Sequence, residues 1–242
     1  MRPAPFADLF EAIYVINLAY RADRRLEMSA ELARLGLSFD DPKVTLFAAV
    51  RPEDAGEFPS VGARGCFMSH LGILHSALAL GLRSILILED DADFTADFVN
   101  LGEAGAAAVS ASAWDILYLG YDVDTAPAVD PGLVRPVAPP IPVRQTHAMA
   151  LRGDALSRVT AYLEQMAGRK GGDPAGGPMH VDGAYSWFRR ENPDIRTAIA
   201  TTPWAVQRAS KTDIHDTGWK ERVPFLGAAR RLRNRLLRKV RT

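Results

Sequence analysis

Ser84-Ile-Leu-Ile-Leu-Glu-Asp-Asp-Ala-Asp-Phe94 sets four branched apolar residues, Ile85 to Leu88, directly before four acids in five positions, Glu89, Asp90, Asp91 and Asp93. A run with no polar face suits a strand covered on both sides, as in a parallel sheet. The acids then fall at the strand's C-terminal end, where open α/β sheets bind ligands. Two like charges about 4 Å apart repel by roughly 4 kcal/mol at an effective dielectric near 20, so a bare cluster is costly. A hard cation such as Mg²⁺ or Mn²⁺, held by one or two carboxylates and completed by phosphate and water, removes that cost. A solvated acidic turn is the plainer alternative.

Working outward, Ala12-Ile-Tyr-Val-Ile-Asn-Leu18 has the β-branched character of a first buried strand. Asp23-Arg24-Arg25 follows, then Leu26, Ala30, Ala33 and Leu37 at helical spacing. Arginines between a strand and a helix suit phosphate or carboxylate, although they also suit the helix's wet face. Val44 to Ala49 reads as a second strand. The helix opening at Gly62 to Gly65 places Phe67, Leu71, Leu74 and Leu78 on one stripe, with Ser69 and His70 beside it.

These pieces, in order, resemble glycosyltransferase family 25: Ile13-Tyr-Val-Ile-Asn-Leu18 with Asp23-Arg24-Arg25, Gly65-Cys-Phe-Met-Ser-His70, and Leu86-Ile-Leu-Glu-Asp-Asp91. The resemblance covers about the first hundred residues. It implies an α/β fold of GT-A type, a Rossmann-like, mostly parallel sheet flanked by helices. It also implies a UDP-linked donor and transfer of a hexose, galactose or glucose, with inversion to a saccharide acceptor, as in lipopolysaccharide biosynthesis or collagen galactosylation. Asn17, Leu18, Arg21, Arg24, Ser69, His70, Glu89 and Asp90 would lie along the donor; Asp91, Asp93 and His215 would hold Mn²⁺ or Mg²⁺. Asp182, after a proline in Pro178-Met-His-Val-Asp182, matches a family aspartate and is the candidate general base. His147, in Thr146-His-Ala-Met-Ala-Leu151, either faces the site or is a core histidine.

The later chain expects an alanine-rich helix from Thr95 to Ser110, a strand from Trp114 to Leu119 ending in Gly120-Tyr121-Asp122, and a proline-rich loop to Pro142. The strand of Thr146 to Leu151 and a helix from Asp154 to Met166 follow. Gly168 to Pro178 is too rich in glycine and proline for regular structure and suits either a closing lid or an inert loop. A helix with Tyr185, Trp187 and Phe188 and a last strand over Thr197 to Thr202 complete a single domain, 1–222. Residues 223–242 form a basic amphipathic tail, expected as a helix, fitted either to an anionic membrane surface and a lipid-linked acceptor or to packing on the body.

Charge and composition narrow the function further. The chain has 242 residues and a formal net charge of +0, but seven basic residues and no acid lie from Arg230 onward. The 22 remaining basic residues face 29 acids, and that acidic body argues against nucleic acid. Cys66 is the only cysteine, so no intrachain disulfide and no cysteine-based zinc site is expected. The start lacks a signal peptide's apolar run, and a cytoplasmic protein, peripheral on the membrane through its tail, is expected. Two alternatives remain open: a phosphohydrolase using Asp91-Ala-Asp-Phe-Thr95, and a catalytically silent binding module.

Overall fold

The computed structural model describes residues 6–124 and 132–208. His215 and the tail from 223 lie outside them. The elements in order are β1 (Ala12–Asn17), α1 (Ala22–Arg34), β2 (Val44–Ala48), α2 (Val61–Ala79), β3 (Ser84–Glu89), β4 (Ala92–Phe94), α3 (Ala96–Leu101) and α4 (Glu103–Ala111). Then come β5 (Ile116–Val123), β6 (Val134–Pro136), β7 (Val143–Arg152), α5 (Ala155–Ala167), α6 (Val181–Glu191), β8 (Thr197–Ala200) and β9 (Ala205–Gln207).

Seven strands form one sheet in the order β2-β1-β3-β7-β5-β8-β6. β2, β1, β3, β5 and β8 run one way, while β7 and β6 run against them. The α/β, mostly parallel sheet flanked by helices is thus as expected. Both faces are covered, which is why β1 and the apolar run of β3 read as unbroken apolar stretches. On one face Tyr14, Ile87, Tyr118 and Met149 pack under α2, α5 and α6. On the other, Val15, Leu88, Leu119 and Ala148 pack under α1, α3 and α4 with Trp114 and Trp204.

The antiparallel setting of β7 matters most for the site. Leu88 pairs with Ala148 and Leu86 with Ala150, so the first half of β7 reaches the edge where β1, β3 and β5 end. Arg144 to His147 therefore join Asn17, Glu89 and Asp122 at one rim.

Several expectations need correction. Leu26 is 75% exposed, and the buried face of α1 is Arg24, Met28 and Leu32 instead. Ser69 and His70 are buried, while Leu78 at the end of the expected stripe is exposed. The helix from Thr95 is two helices, because Gly102 breaks it at φ +48°, a left-handed conformation that glycine adopts without a Cβ clash. Thr95 does cap the first, its side chain accepting from the Phe98 N–H. Segment 168–178 has no helix or strand, as expected, but it is tied down. Gly171 N–H donates to Glu57 at 2.8 Å, and Arg169 donates to the Gly176 carbonyl at 2.8 Å. None of its residues lines either cleft described below, which leaves the lid without support.

Candidate active site

The apolar half of β3 fixes its backbone, so Glu89, Asp90 and Asp91 leave the sheet in three directions. Asp90 turns toward α1. Its Oδ1 accepts from Arg24 at 2.8 Å and its Oδ2 from Asn17 Nδ2 at 2.7 Å, and all three residues are buried. Arg24 is the buried head of the α1 stripe because this ion pair compensates its charge.

Asp91 is less well served. Arg24 stands 3.6 Å from Oδ2, and Gln207 donates to the same oxygen at 3.1 Å. Oδ1 is buried without a hydrogen-bond partner. Burial and the Glu89 charge, with a smaller push from Asp90, outweigh the attraction of Arg24 and raise this carboxyl to about 7. Asp93 lies beyond the turn on β4, paired with Arg208.

Glu89 points across the sheet. Thr146 Oγ1 donates to its Oε1 at 3.0 Å, and His70 Nε2 stands 3.7 Å from the same oxygen. Burial raises its carboxyl, but His70, His147 and Thr146 together outweigh this and leave it below the usual range. His70 Nδ1 is 3.3 Å from the Tyr185 hydroxyl. Cys66, one helical turn earlier, has its thiol pushed well up by burial and by the charges of Glu89, Asp182 and Asp91.

Two clefts meet here. One, of about 300 Å³, lies over the ends of β1 and β3, lined by Leu18, Tyr20, Arg24, Arg51, Asp90 and Asp91 among others. The other, of about 270 Å³, is lined by Asp122, Arg144, Gln145, His147, Asp182 and Gln207. Cys66 and Glu89 belong to both walls. Gly65 lets the Val50 loop close on α2, since a Cβ there would stand 2.6 Å from the Val50 carbonyl oxygen.

Asp182 sits in the first turn of α6, where a helix N-terminus favours a carboxylate. It accepts from the N–H of Gln145 at 3.1 Å and from that of Gly183 at 2.8 Å. Gln145 donates from φ +68°, a left-handed conformation rare outside glycine. His147 is buried with both ring nitrogens lacking a hydrogen-bond partner, and burial holds its basicity down. A Cβ on Gly120 would stand 2.0 Å from its Nε2, so the ring fits only because residue 120 has no side chain.

Of the expected residues, the structure brings Leu18, Arg24, Ser69, Glu89, Asp90 and Asp91 to the first cleft and Asp182 to the second. His147 lines the second cleft and so faces the site. Asn17 lines neither cleft and instead donates to Asp90, which lines the first. Ser69 is occupied structurally, donating to the Gly65 carbonyl and accepting from the Val50 N–H. Arg21 pairs with Asp23 and lines neither cleft. Gln145 and Gln207 had no signal in the sequence; Thr146 had one only as the neighbour of His147 in Thr146-His-Ala-Met-Ala-Leu151, and Asp122 a faint one as the last residue of Gly120-Tyr121-Asp122.

Residues 10–125 match the family model "Glycosyltransferase family 25 (LPS biosynthesis protein)". Inactive glycosyltransferase 25 family member 3 of Homo sapiens is 31% identical over 148 residues, 52% of this chain and 25% of that protein. A glycosyltransferase 25 family member of Anopheles gambiae is 31% identical over 125 residues, 45% of this chain and 21% of its own. Procollagen galactosyltransferase 1 of Danio rerio is 28% identical over 129 residues, 46% of this chain and 21% of its own. The matches thus span about a quarter of these relatives' length. A solved glycosyltransferase involved in glycosylation of the major capsid of PBCV-1 shares 12% identity at a TM-score of 0.49, over 83% of this chain and 94% of that one. Residues 10–125, which carry Arg24 and all four strand-end acids, are thus the part of the chain that is similar to glycosyltransferase family 25.

Proposed function

We propose that this protein is an inverting glycosyltransferase that moves a hexose, galactose or glucose, from a UDP-sugar to a saccharide hydroxyl. The observation that carries the reading is Asp91: a carboxylate on the cleft wall, buried, short of compensating charge and with one oxygen unpartnered. That environment fits a hard divalent cation, Mn²⁺ or Mg²⁺, which when bound would supply charge to a leaving diphosphate. Asp91 would hold it. Asp93 would join only if its pair with Arg208 opened, and His215 lies outside the described residues.

The chain's own residues divide the remaining work. Arg24 neutralises Asp90 and fixes the floor of the first cleft, where the nucleotide would lie. Tyr20, 55% exposed with the Arg51 guanidinium 5.2 Å from its ring centroid, offers the uracil a stacking platform. In the second cleft Asp182, aimed by two backbone N–H groups, takes the proton from the acceptor hydroxyl. That oxygen then attacks the anomeric carbon as the bond to UDP breaks on the opposite face, and the configuration inverts.

The galactosyl choice draws support from the zebrafish relative's name. The acceptor is proposed to be a cell-surface saccharide of the lipopolysaccharide kind, reached from the cytoplasmic side with the basic tail against anionic lipid. No helix among the described residues is long and apolar enough to cross a membrane. The family match over the segment holding Asp91 to Thr95 weighs against the phosphohydrolase alternative. A silent family member is the second reading, favoured by the names of the mammalian relatives.

Calorimetric titration of UDP with Mn²⁺ and with EDTA tests the first part. Metal-dependent binding that Asp91→Ala abolishes is expected; no UDP binding by folded protein under either condition refutes the reading. Asp182→Asn is expected to abolish sugar transfer while leaving UDP binding within a few-fold of the parent. Transfer that survives the substitution moves the base elsewhere, and UDP binding without transfer of any UDP-sugar by the parent chain selects the silent reading.

A further inference from the structure

Cys66 and His70 are four residues apart on α2 and so share one helix face. Glu89, at the end of β3, faces them across the junction of the two clefts. The Cys66 sulfur, a His70 ring nitrogen and a Glu89 oxygen all lie within 4.8 Å of one another. His70 is 0% exposed and its Nε2 has no hydrogen-bond partner, an expensive state for a ring nitrogen aimed at a carboxylate.

The spacing fits an ion better than a hydrogen bond. Nε2 and the Glu89 oxygen stand 3.7 Å apart, too far for a bond between them. Two ligands on one tetrahedral ion, with bonds of about 2.0–2.3 Å, are about 3.3–3.8 Å apart. Both ligands are already oriented: the far side of the His70 ring is held at Nδ1 by the Tyr185 hydroxyl, and Thr146 donates to the same Glu89 oxygen that faces Nε2, fixing where that oxygen sits. Outer partners of this kind orient metal ligands, and a ring that donates Nδ1–H to Tyr185 presents its Nε2 lone pair inward. Cys66 is only partly buried and lines both clefts, so an ion has an entry path and an open fourth position for water.

We infer that Cys66, His70 and Glu89 form a site for a thiophilic divalent ion such as Zn²⁺, separate from the hard-cation position at Asp91. A lone cysteine excludes a multi-cysteine zinc site; the fold supplies a mixed sulfur, nitrogen and oxygen set instead. Such donors select Zn²⁺ or Co²⁺, whereas carboxylates with water select Mg²⁺ or Mn²⁺. An ion there stands on the wall common to both clefts, so Zn²⁺ is expected to inhibit the transfer proposed above. The inhibition rests on that reading, but the site does not.

Co²⁺ added to the full chain, in excess Mg²⁺ to occupy carboxylate sites, tests the inference. A sulfur-to-cobalt charge-transfer band with intensified visible bands is expected; it should persist in Asp91→Ala and vanish in Cys66→Ser. Tyr185→Phe is expected to weaken cobalt binding about tenfold through the loosened histidine. In the unsubstituted protein, Zn²⁺ should protect Cys66 from alkylation and EDTA should restore it, a readout that needs no variant to fold. Absence of the sulfur band with no protection of Cys66, or a band unchanged in folded Cys66→Ser, overturns the inference.

Discussion

Replacing Asp91 by asparagine should make the metal-free protein more stable at pH 8. The folded carboxyl stands at about 7 against an ordinary 3.8. At about 1.4 kcal/mol per unit, ionising it in place costs on the order of 4 kcal/mol relative to the unfolded chain. The sign follows from proton uptake. Between about pH 4 and 7 the folded state binds the proton that the unfolded state has released, so stability is lost as pH rises through that window and stays lost above it. Asparagine cannot ionise and escapes the loss. It forgoes the attraction of Arg24 at 3.6 Å, but its carbonyl can still accept from Gln207. The net gain expected is about 1–3 kcal/mol at pH 8, falling to near zero at pH 4.5, where the aspartate is already protonated. Urea unfolding in EDTA at both pH values, with unchanged slope, reads it directly. An asparagine variant less stable than its parent at pH 8, or equally shifted at both pH values, refutes the argument that Asp91 is a buried charge in want of a cation.

Arg24→Met should act in the opposite direction, destabilising by about 3–5 kcal/mol because it strands buried Asp90. The loss should be larger at pH 8 than at pH 5, since Asp91 also loses its cation; thermal melts at the two pH values check this. Gly120→Ala should cost about 1–3 kcal/mol by overpacking, since its Cβ falls on the His147 ring. Adding His147→Ala should recover part of that loss in urea melts, whereas simple additivity would deny the contact.

What the sequence revealed, and what it hid, follows from how each element is stabilised. Strands β1, β3 and β5 are covered on both faces, so every residue of their apolar runs must be hydrophobic and the pattern is plain in one dimension. Helix α1 misled because its buried stripe begins with an arginine. Its apolar periodicity, Leu26-Ala30-Ala33-Leu37, belongs mostly to the wet side, while Arg24 goes inside because Asp90, 66 positions later, receives it. No local pattern encodes a partner that far along the chain. The β4–β9 ribbon was invisible for a related reason: each strand has three residues, too few to show a period, and they pair across more than a hundred positions. Yet that ribbon carries Gln207 to Asp91.

The acid cluster shows the same division between what is local and what is not. Its presence at a strand's end was plain, but four adjacent acids cannot be assigned roles from spacing, because their environments differ. Asp90 is matched by Arg24 and Asn17, Asp93 by Arg208, and Glu89 by Thr146 with His70 nearby. Asp91 alone of these is left with an unpartnered buried oxygen. The first three matches come from β1, α1, β7, α2 and the segment after β9, so the fold neutralises three acids with its own groups. It leaves the fourth, on the cleft wall, short of such a partner, and that shortfall is what the proposed cation would make good.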